Sequence, residues 1–169
     1  MGLLLQRLRS GLTTLPRPRD WLELLAAIVL LGVIVVPAGL WTGLLCLAPQ
    51  PLDPAAALSA IFVPALGEEL MFRGPWIPGR REGRGAALPI VLTTAAFSLW
   101  HILETTWLPR AATLFERPDF LAWTALLGLA CALLRRRSGS LWPPVILHWV
   151  AVVAWETWLG GPPGIDALR

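Results

Sequence analysis

Residues 21–47 decide the fold class, and they read WLELLAAIVLLGVIVVPAGLWTGLLCL. The only charged side chain in this stretch is Glu23. A helix needs about 20 apolar residues to cross the hydrocarbon core of a bilayer, and this stretch exceeds that length. It is also too long for the apolar region of a secretory signal and lacks a small-residue cleavage site after it, so we predict a retained membrane helix.

Four further apolar stretches follow, and each is predicted to cross the membrane as a helix. The five predicted crossings are residues 21–47, 55–71, 86–103, 120–134 and 141–159. The chain is 56% hydrophobic and only 15% charged, which is too apolar for a soluble domain. The sequence therefore predicts an all-α, polytopic transmembrane helix bundle at 21–159. A cytoplasmic arm at 1–20 precedes it, and a tail at 160–169 follows, whose Pro and Gly residues disfavour a helix.

The basic side chains predict the orientation of the bundle. All fourteen are arginines, and they concentrate before the first predicted helix, after the second and after the fourth. These segments lie on one side of the membrane, and the positive-inside rule makes that side, with the N-terminus, cytoplasmic. Because the arginines occur in short runs between apolar segments, we predict no nucleic-acid partner despite the net charge of +3. The absence of lysine and the abundance of Ala, Leu and Pro favour a bacterial inner membrane protein.

Residues 67–74, GEELMFRG, place two adjacent carboxylates and an arginine near the end of an apolar segment. A charge at the centre of a membrane helix costs about 2.5–3.5 kcal/mol, so these side chains are expected to face protein rather than lipid. Glu69 and Arg73 are four residues apart and can pair on one helix face, whereas Glu68 points about 100° away. Glu68 is then a candidate general base. The alternative is that both carboxylates simply reach the cytoplasmic interface beside Arg73.

The chain has two histidines, and both lie inside apolar segments. His101 belongs to the third predicted helix and His148 to the fifth. A single buried imidazole is more often a packing residue that bonds a neighbouring helix. Two imidazoles together with a carboxylate base are sufficient to hydrolyse a peptide bond, either by holding a metal or by stabilising an oxyanion.

These motifs resemble those of the CPBP family, the CAAX-processing and bacteriocin-processing intramembrane proteases that are also called Abi or Rce1-like. The resemblance rests on Glu68-Glu69-x-x-x-Arg73, on Phe97-x-x-x-His101, and on the Gly-Ser-Leu-Trp-x-Pro sequence that precedes His148. It covers roughly residues 55–158 and keeps the order of the family's motifs. Each motif alone is short, and the three in order are specific.

The resemblance implies a role for each matching residue. Glu68 would activate water, and His101 and His148 would polarise the scissile carbonyl. Glu69 and Arg73 would support Glu68 through an ion pair. It implies no required cofactor, or else a divalent metal such as Zn bound by Glu68, His101 and His148. The implied partners are the lipid bilayer and a peptide or protein substrate with a membrane-associated segment, or one with a C-terminal tag.

One position departs from the family pattern, since Val152 stands where an Asn or Asp usually follows the third-motif histidine by four residues. An amide that would help to hold the oxyanion is therefore missing, and Glu156 is a candidate to compensate. Straight helices of the predicted lengths also leave His101 up to about 10 Å from the depth of Glu68 and His148. Two rival functions stay open, a non-enzymatic immunity or peptide-binding protein and a small ion or proton transporter.

Overall fold

The computed structural model describes residues 2–83 and 85–161, and within them it contains helices and no β-strand. The predicted all-α bundle is confirmed. The helices are α1 Leu3–Thr13, α2 Pro18–Thr42, α3 Pro54–Ala60, α4 Gly67–Phe72, α5 Ala87–Glu104, α6 Ala112–Phe115, α7 Pro118–Ser138 and α8 Trp142–Trp158. A π-helical turn, Ile61–Leu66, joins α3 to α4, and a 3₁₀ turn, Pro109–Ala111, precedes α6. Most of the predicted tail, residues 162–169, lies outside the described residues.

In the described part of the chain, four segments are long and apolar enough to cross a membrane, namely Pro18–Thr42, Pro54–Phe72, Ala87–Glu104 and Pro118–Ser138. The fifth predicted crossing corresponds to α8, whose 17 residues lie at the short end of the spanning range. On α2 the outward side chains Leu22, Leu25, Val29, Leu30 and Val33 are exposed, as expected for a surface that faces lipid. The chain is an integral membrane protein.

The ends of the helices have local causes. Pro18 occupies the first turn of α2, where its missing N–H costs nothing, and Asp20 accepts hydrogen bonds from the backbone and guanidinium of Arg17. The same helix ends at Thr42 because Gly43 adopts a left-handed conformation with φ 68°. The predicted first crossing extended to residue 47, so its last five residues were assigned to the helix wrongly.

The second crossing is interrupted, whereas residues 55–71 were predicted to form one helix. Val63 leaves the helical region with φ −134° and ψ 114°, and Pro64 follows it. Because Pro64 has no N–H and its ring restricts the preceding residue, a regular helix cannot continue through this pair. Within a bundle, neighbouring helices can satisfy the freed backbone groups. The break allows α4 to leave the axis of α3 and carry its carboxylates into the bundle.

The arginine-rich segments meet at one end of the bundle, as the predicted orientation requires. Arg7 on α1 forms an ion pair with Glu82 at 2.7 Å, and Arg137 on α7 pairs with Glu23 on α2 at 2.7 Å. Arg136 donates hydrogen bonds to the carbonyls of Gly79, Glu82 and Gly83. The assignment of this end to the cytoplasm stays a prediction.

The N-terminal arm is a docked helix. The backbone N–H of Leu141 donates to the carbonyl of Gly11 at 2.8 Å, and the indole N–H of Trp142 donates to the carbonyl of Leu12 at 3.1 Å. Gly11 is buried against Leu141, where a Cβ would meet the leucine side chain at 3.0 Å. α1 therefore covers the turn between α7 and α8 at the arginine-rich end.

Candidate active site

Helix α4 supplies the buried acidic group at the centre of the bundle. Glu69 and Arg73 are both fully buried, and Glu69 Oε1 lies 3.1 Å from Arg73 Nη1. The ion pair predicted from the four-residue spacing is present. Two buried charges in contact offset much of each other's desolvation cost, whereas either charge buried alone would strongly destabilise the fold.

His148 of α8 lies between the two adjacent carboxylates. Its Nδ1 is 3.1 Å from Glu69 Oε1, and its Nε2 is 3.9 Å from Glu68 Oε2. Since a carboxylate oxygen accepts, Nδ1 carries the proton of the shorter contact and leaves Nε2 as the ring nitrogen that faces Glu68. Glu69 Oε1 thus connects His148 with Arg73, and Glu68 is outside the ion pair as the spacing predicts.

Phe97 of α5 is the common neighbour of the site residues. The guanidinium carbon of Arg73 lies 4.1 Å from the centre of its ring. The rings of His101 and His148 pack edge-on against it, with centroid distances of 5.1 and 5.6 Å. Straight helices left about 10 Å between the depths of the histidines. The structure instead brings both imidazoles to one phenyl ring.

His101 is oriented by its own helix. Its Nδ1 donates a hydrogen bond to the carbonyl of Phe97, one turn earlier, at 3.0 Å. Its ring also packs against Phe115 and Phe120, with centroid distances of 5.3 and 5.4 Å. These contacts fix the ring and leave Nε2 as the nitrogen available for a further partner.

A glycine permits the close packing of this cluster. Gly128 is on α7, and a Cβ there would lie 2.8 Å from Arg73 Nη2 and 2.9 Å from Phe97 Cδ1. Only a residue without a side chain lets α7 approach the cation and the ring so closely.

Two carboxylate oxygens of the cluster can still accept a hydrogen bond. Glu68 Oε2 and Glu69 Oε2 are buried and have no hydrogen-bond donor within the described part of the chain.

The family model described as type II CAAX prenyl endopeptidase, Rce1-like, matches residues 50–154. This match covers more than half of the chain and includes every residue of the cluster. The chain belongs to the Rce1-like family. No curated protein and no solved structure matches it. Family membership makes the chain a membrane-embedded peptide hydrolase, and this outcome confirms the resemblance seen in the sequence motifs.

Beside the cluster, this Rce1-like protein has an apolar cavity of about 280 Å³ between α2, α5, α7 and α8. His101 and His148 line it, whereas Glu68 does not and is linked to the cavity through His148. Val152 also lines the cavity, so the position that departs from the family pattern lies on its wall. Glu156, the candidate replacement, is half-buried and is not among the lining residues.

Sequence reasoning missed the contribution of α7 to the cavity. Phe120, Trp123 and Leu127 recur at intervals of three and four residues and form one wall of it. The indole N–H of Trp123 is buried and has no acceptor in the described ranges. The helical spacing of these residues was visible, but in a membrane helix an apolar face does not differ in composition from a face toward lipid.

The candidate metal ligands do not form a compact donor set. Within residues 2–83 and 85–161, no three His, Cys, Asp or Glu side chains converge closely enough to hold a metal ion. Glu68 Oε2 faces His148 Nε2 at 3.9 Å, whereas His101 is connected with this pair through the ring of Phe97. A metal site would require these side chains to rearrange.

Proposed function

We propose that this Rce1-like protein is an intramembrane endopeptidase in which Glu68 activates water for attack on a peptide carbonyl. The observation that carries the proposal is the position of His148, which contacts Glu69 at 3.1 Å and faces Glu68 at 3.9 Å beside an apolar cavity. A carboxylate base next to a fixed imidazole is the minimal set for hydrolysis by an activated water.

The reaction would proceed in two steps. Glu68 takes a proton from water while the oxygen attacks the carbonyl carbon, which gives a tetrahedral oxyanion. The carbon–nitrogen bond then breaks, and the proton held by Glu68 passes to the departing amine. His101 and His148 would stabilise the oxyanion through Nε2–H. Because Nδ1 of each ring already donates to Phe97 or Glu69, this role requires each ring to carry both protons when it acts.

Glu69 and Arg73 would act as positioning residues. Glu69 accepts from His148 and pairs with Arg73, so it fixes the imidazole ring in the plane that faces Glu68. The cation of Arg73 is held in turn over the Phe97 ring, which also contacts both histidines. This arrangement supports a site that is formed before the substrate binds.

The substrate would be a membrane-anchored or C-terminally tagged protein of the bacterial inner membrane. The apolar cavity supports this choice, since its walls come from four membrane helices and include Ile28, Leu31 and Val35 of α2. A segment with apolar side chains binds favourably in such a cavity. A polar peptide would lose its hydration there without gaining polar partners. Water activation by Glu68 needs no cofactor, and a divalent metal such as Zn is the alternative if the ligands rearrange.

The test is to express variants in a host strain that lacks the protein and to compare membrane proteins by mass spectrometry. Glu68→Gln, His101→Ala and His148→Ala are each expected to accumulate the same uncleaved precursor as the deletion strain. Glu116→Gln is the matched control, because Glu116 is an exposed carboxylate that does not line the cavity. Equal processing by wild type and all three variants, at equal membrane abundance, would refute the proposal.

A non-enzymatic immunity or peptide-binding role is favoured by one observation, the apolar Val152 on the cavity wall. In that case the polar cluster would only hold α4, α5 and α8 together. The two functions predict different outcomes for the precursor. A protease cleaves it, whereas a protein with a binding role alone would keep it intact in a complex. Wild-type protein that co-purifies with an intact precursor and never releases a product would support this second function.

A further inference from the structure

A second cavity, of about 420 Å³, lies at the arginine-rich end of the molecule. Its walls come from α1, from the segment that follows α4, and from the end of α7. Among the residues that the structure describes, three arginines line it, Arg7, Arg80 and Arg81, together with a single acidic side chain, Glu82. It shares no residue with the cavity beside the candidate active site.

The charge balance of this cavity is positive. Glu82 is neutralised, because its Oε2 pairs with Arg7 at 2.7 Å and its Oε1 accepts from the N–H of Gly79 at 2.6 Å. Arg80 and Arg81 remain exposed at the mouth. The carboxylate of Asp20 also interacts with Arg80, and it is paired with Arg17 at 2.7 Å.

A buried cation, Arg135, adds to the positive charge near this cavity. Arg135 is fully buried, and its guanidinium donates to the carbonyl of Arg7 at 3.2 Å. Its Nε and Nη1 have no acceptor within the described residues. Glu82 attracts Arg135 from a distance, but no carboxylate of the described residues is in contact with it, and an anion bound in the adjacent cavity would offset more of its desolvation cost.

The exposed side chains of α1 indicate what surrounds the cavity. Leu3, Leu4 and Leu5 are each more than 40% exposed, on a helix whose other face docks on α8 through Gly11. Exposed leucines beside exposed arginines are typical of a helix that lies in the membrane interface. With α1 in that position, the cavity would open at the level of the lipid headgroups.

We propose that this cavity binds the phosphate of an anionic lipid headgroup, with the guanidinium groups of Arg80 and Arg81 as its direct ligands. Arginine matches phosphate oxygens with paired N–H donors and keeps its charge at an interface. The exposed leucines of α1 would lie against the acyl chains of the same lipid. A bound lipid would thus hold α1 against the bundle. The two already pack closely at Gly74, because a Cβ at that position would lie 2.5 Å from the side chain of Leu8.

The experiment titrates the full-length protein in neutral detergent with phosphatidylglycerol or with phosphatidylcholine, and counts bound lipid by native mass spectrometry. We expect preferential binding of phosphatidylglycerol. Arg80→Ala/Arg81→Ala is expected to weaken this binding by roughly tenfold or more, since each basic side chain contributes measurably to attraction of anionic lipid. Both residues are exposed, so the fold should persist, and the unfolding temperature checks this.

The matched control is Arg9→Ala/Arg19→Ala, which removes the same charge from exposed positions at the same end but outside the cavity. It is expected to leave phosphatidylglycerol binding almost unchanged. Equal weakening by both pairs would indicate diffuse attraction and overturn the proposal. Displacement of phosphatidylglycerol by inorganic phosphate, without discrimination between the two lipids, would assign the site to a soluble phosphate compound and also overturn it.

Discussion

At the scale of single residues, the site depends on local spacing and on contacts that only the folded chain creates. The Glu69–Arg73 pair follows from a four-residue interval within one helix, so the sequence predicts it. The contact of His148 with Glu69 joins positions 79 residues apart. No local pattern encodes that distance, and only the motif resemblance placed the two residues in one site.

Arg73 is expected to be essential for stability. Arg73→Met would leave Glu69 and Glu68 buried beside each other without a cation, at a cost of about 3–5 kcal/mol. The measurement is the free energy of unfolding in detergent, with Arg110→Met at an exposed position as the control. A variant as stable as wild type would show that the ion pair does not support the bundle.

Val152 offers a gain-of-function test. Val152→Asn would place an amide donor on the wall of the cavity that holds both histidines, and we expect kcat to rise roughly tenfold through added oxyanion stabilisation. Val153→Asn is the matched control, because Val153 does not line the cavity. If cleavage assays with both variants give the wild-type kcat, an oxyanion does not form near position 152.

At the scale of helices, the number and approximate position of the membrane helices can be predicted from the sequence. The places where a helix is interrupted cannot. Membrane helices tolerate proline, so Pro64 in an apolar run does not by itself signal a break. The docking of α1 also escaped the sequence analysis, because an 11-residue helix that mixes leucines with Arg7 and Arg9 resembles any amphipathic arm. Both features depend on the neighbouring helices that receive them.

Gly128 tests the packing of α7 against the site. Gly128→Ala would force a methyl group against Arg73 and Phe97, and we expect a loss of about 1–3 kcal/mol in unfolding free energy together with reduced cleavage. Gly32→Ala on α2 is the control for the unfolding free energy, since its Cβ would meet no atom within 4 Å. Equal stability of the two variants would mean that α7 can shift away without affecting the site.

At the scale of the whole molecule, the arginine-rich end links α1, α2, the segment after α4 and α7 through ion pairs. The charge pattern predicted that these segments share a side, and their contacts bear this out. The pattern could not predict the partners, since Asp20, Glu23 and Glu82 all belong to these segments and each could pair with an arginine. Only the docking of α1 decides that Arg7 meets Glu82.

The arginine-rich end should lose stability in acid. Burial alone would raise the pKa of Glu82, but hydrogen bonds from Gly79 and Arg7 outweigh it and hold the pKa below its ordinary value of 4.5. The stabilisation is therefore complete above pH 4.5 and is lost as the pH falls through the lowered pKa. The protection of α1 against hydrogen exchange, corrected for the intrinsic pH dependence of amide exchange, is expected to fall over that range, and Glu82→Gln should abolish this fall. A protection factor that stays constant with pH would contradict the assigned pair.

The most direct test of the central claim is the single-turnover cleavage rate of the reconstituted protein in lipid vesicles, with a membrane-anchored precursor as substrate. Glu68→Gln removes the base and keeps the shape of the side chain, and we expect the rate to fall by about 10²–10⁴-fold while substrate binding persists. Glu116→Gln should cleave like wild type. A Glu68→Gln protein that cleaves at the wild-type rate would contradict the account, because the water would then be activated by another group.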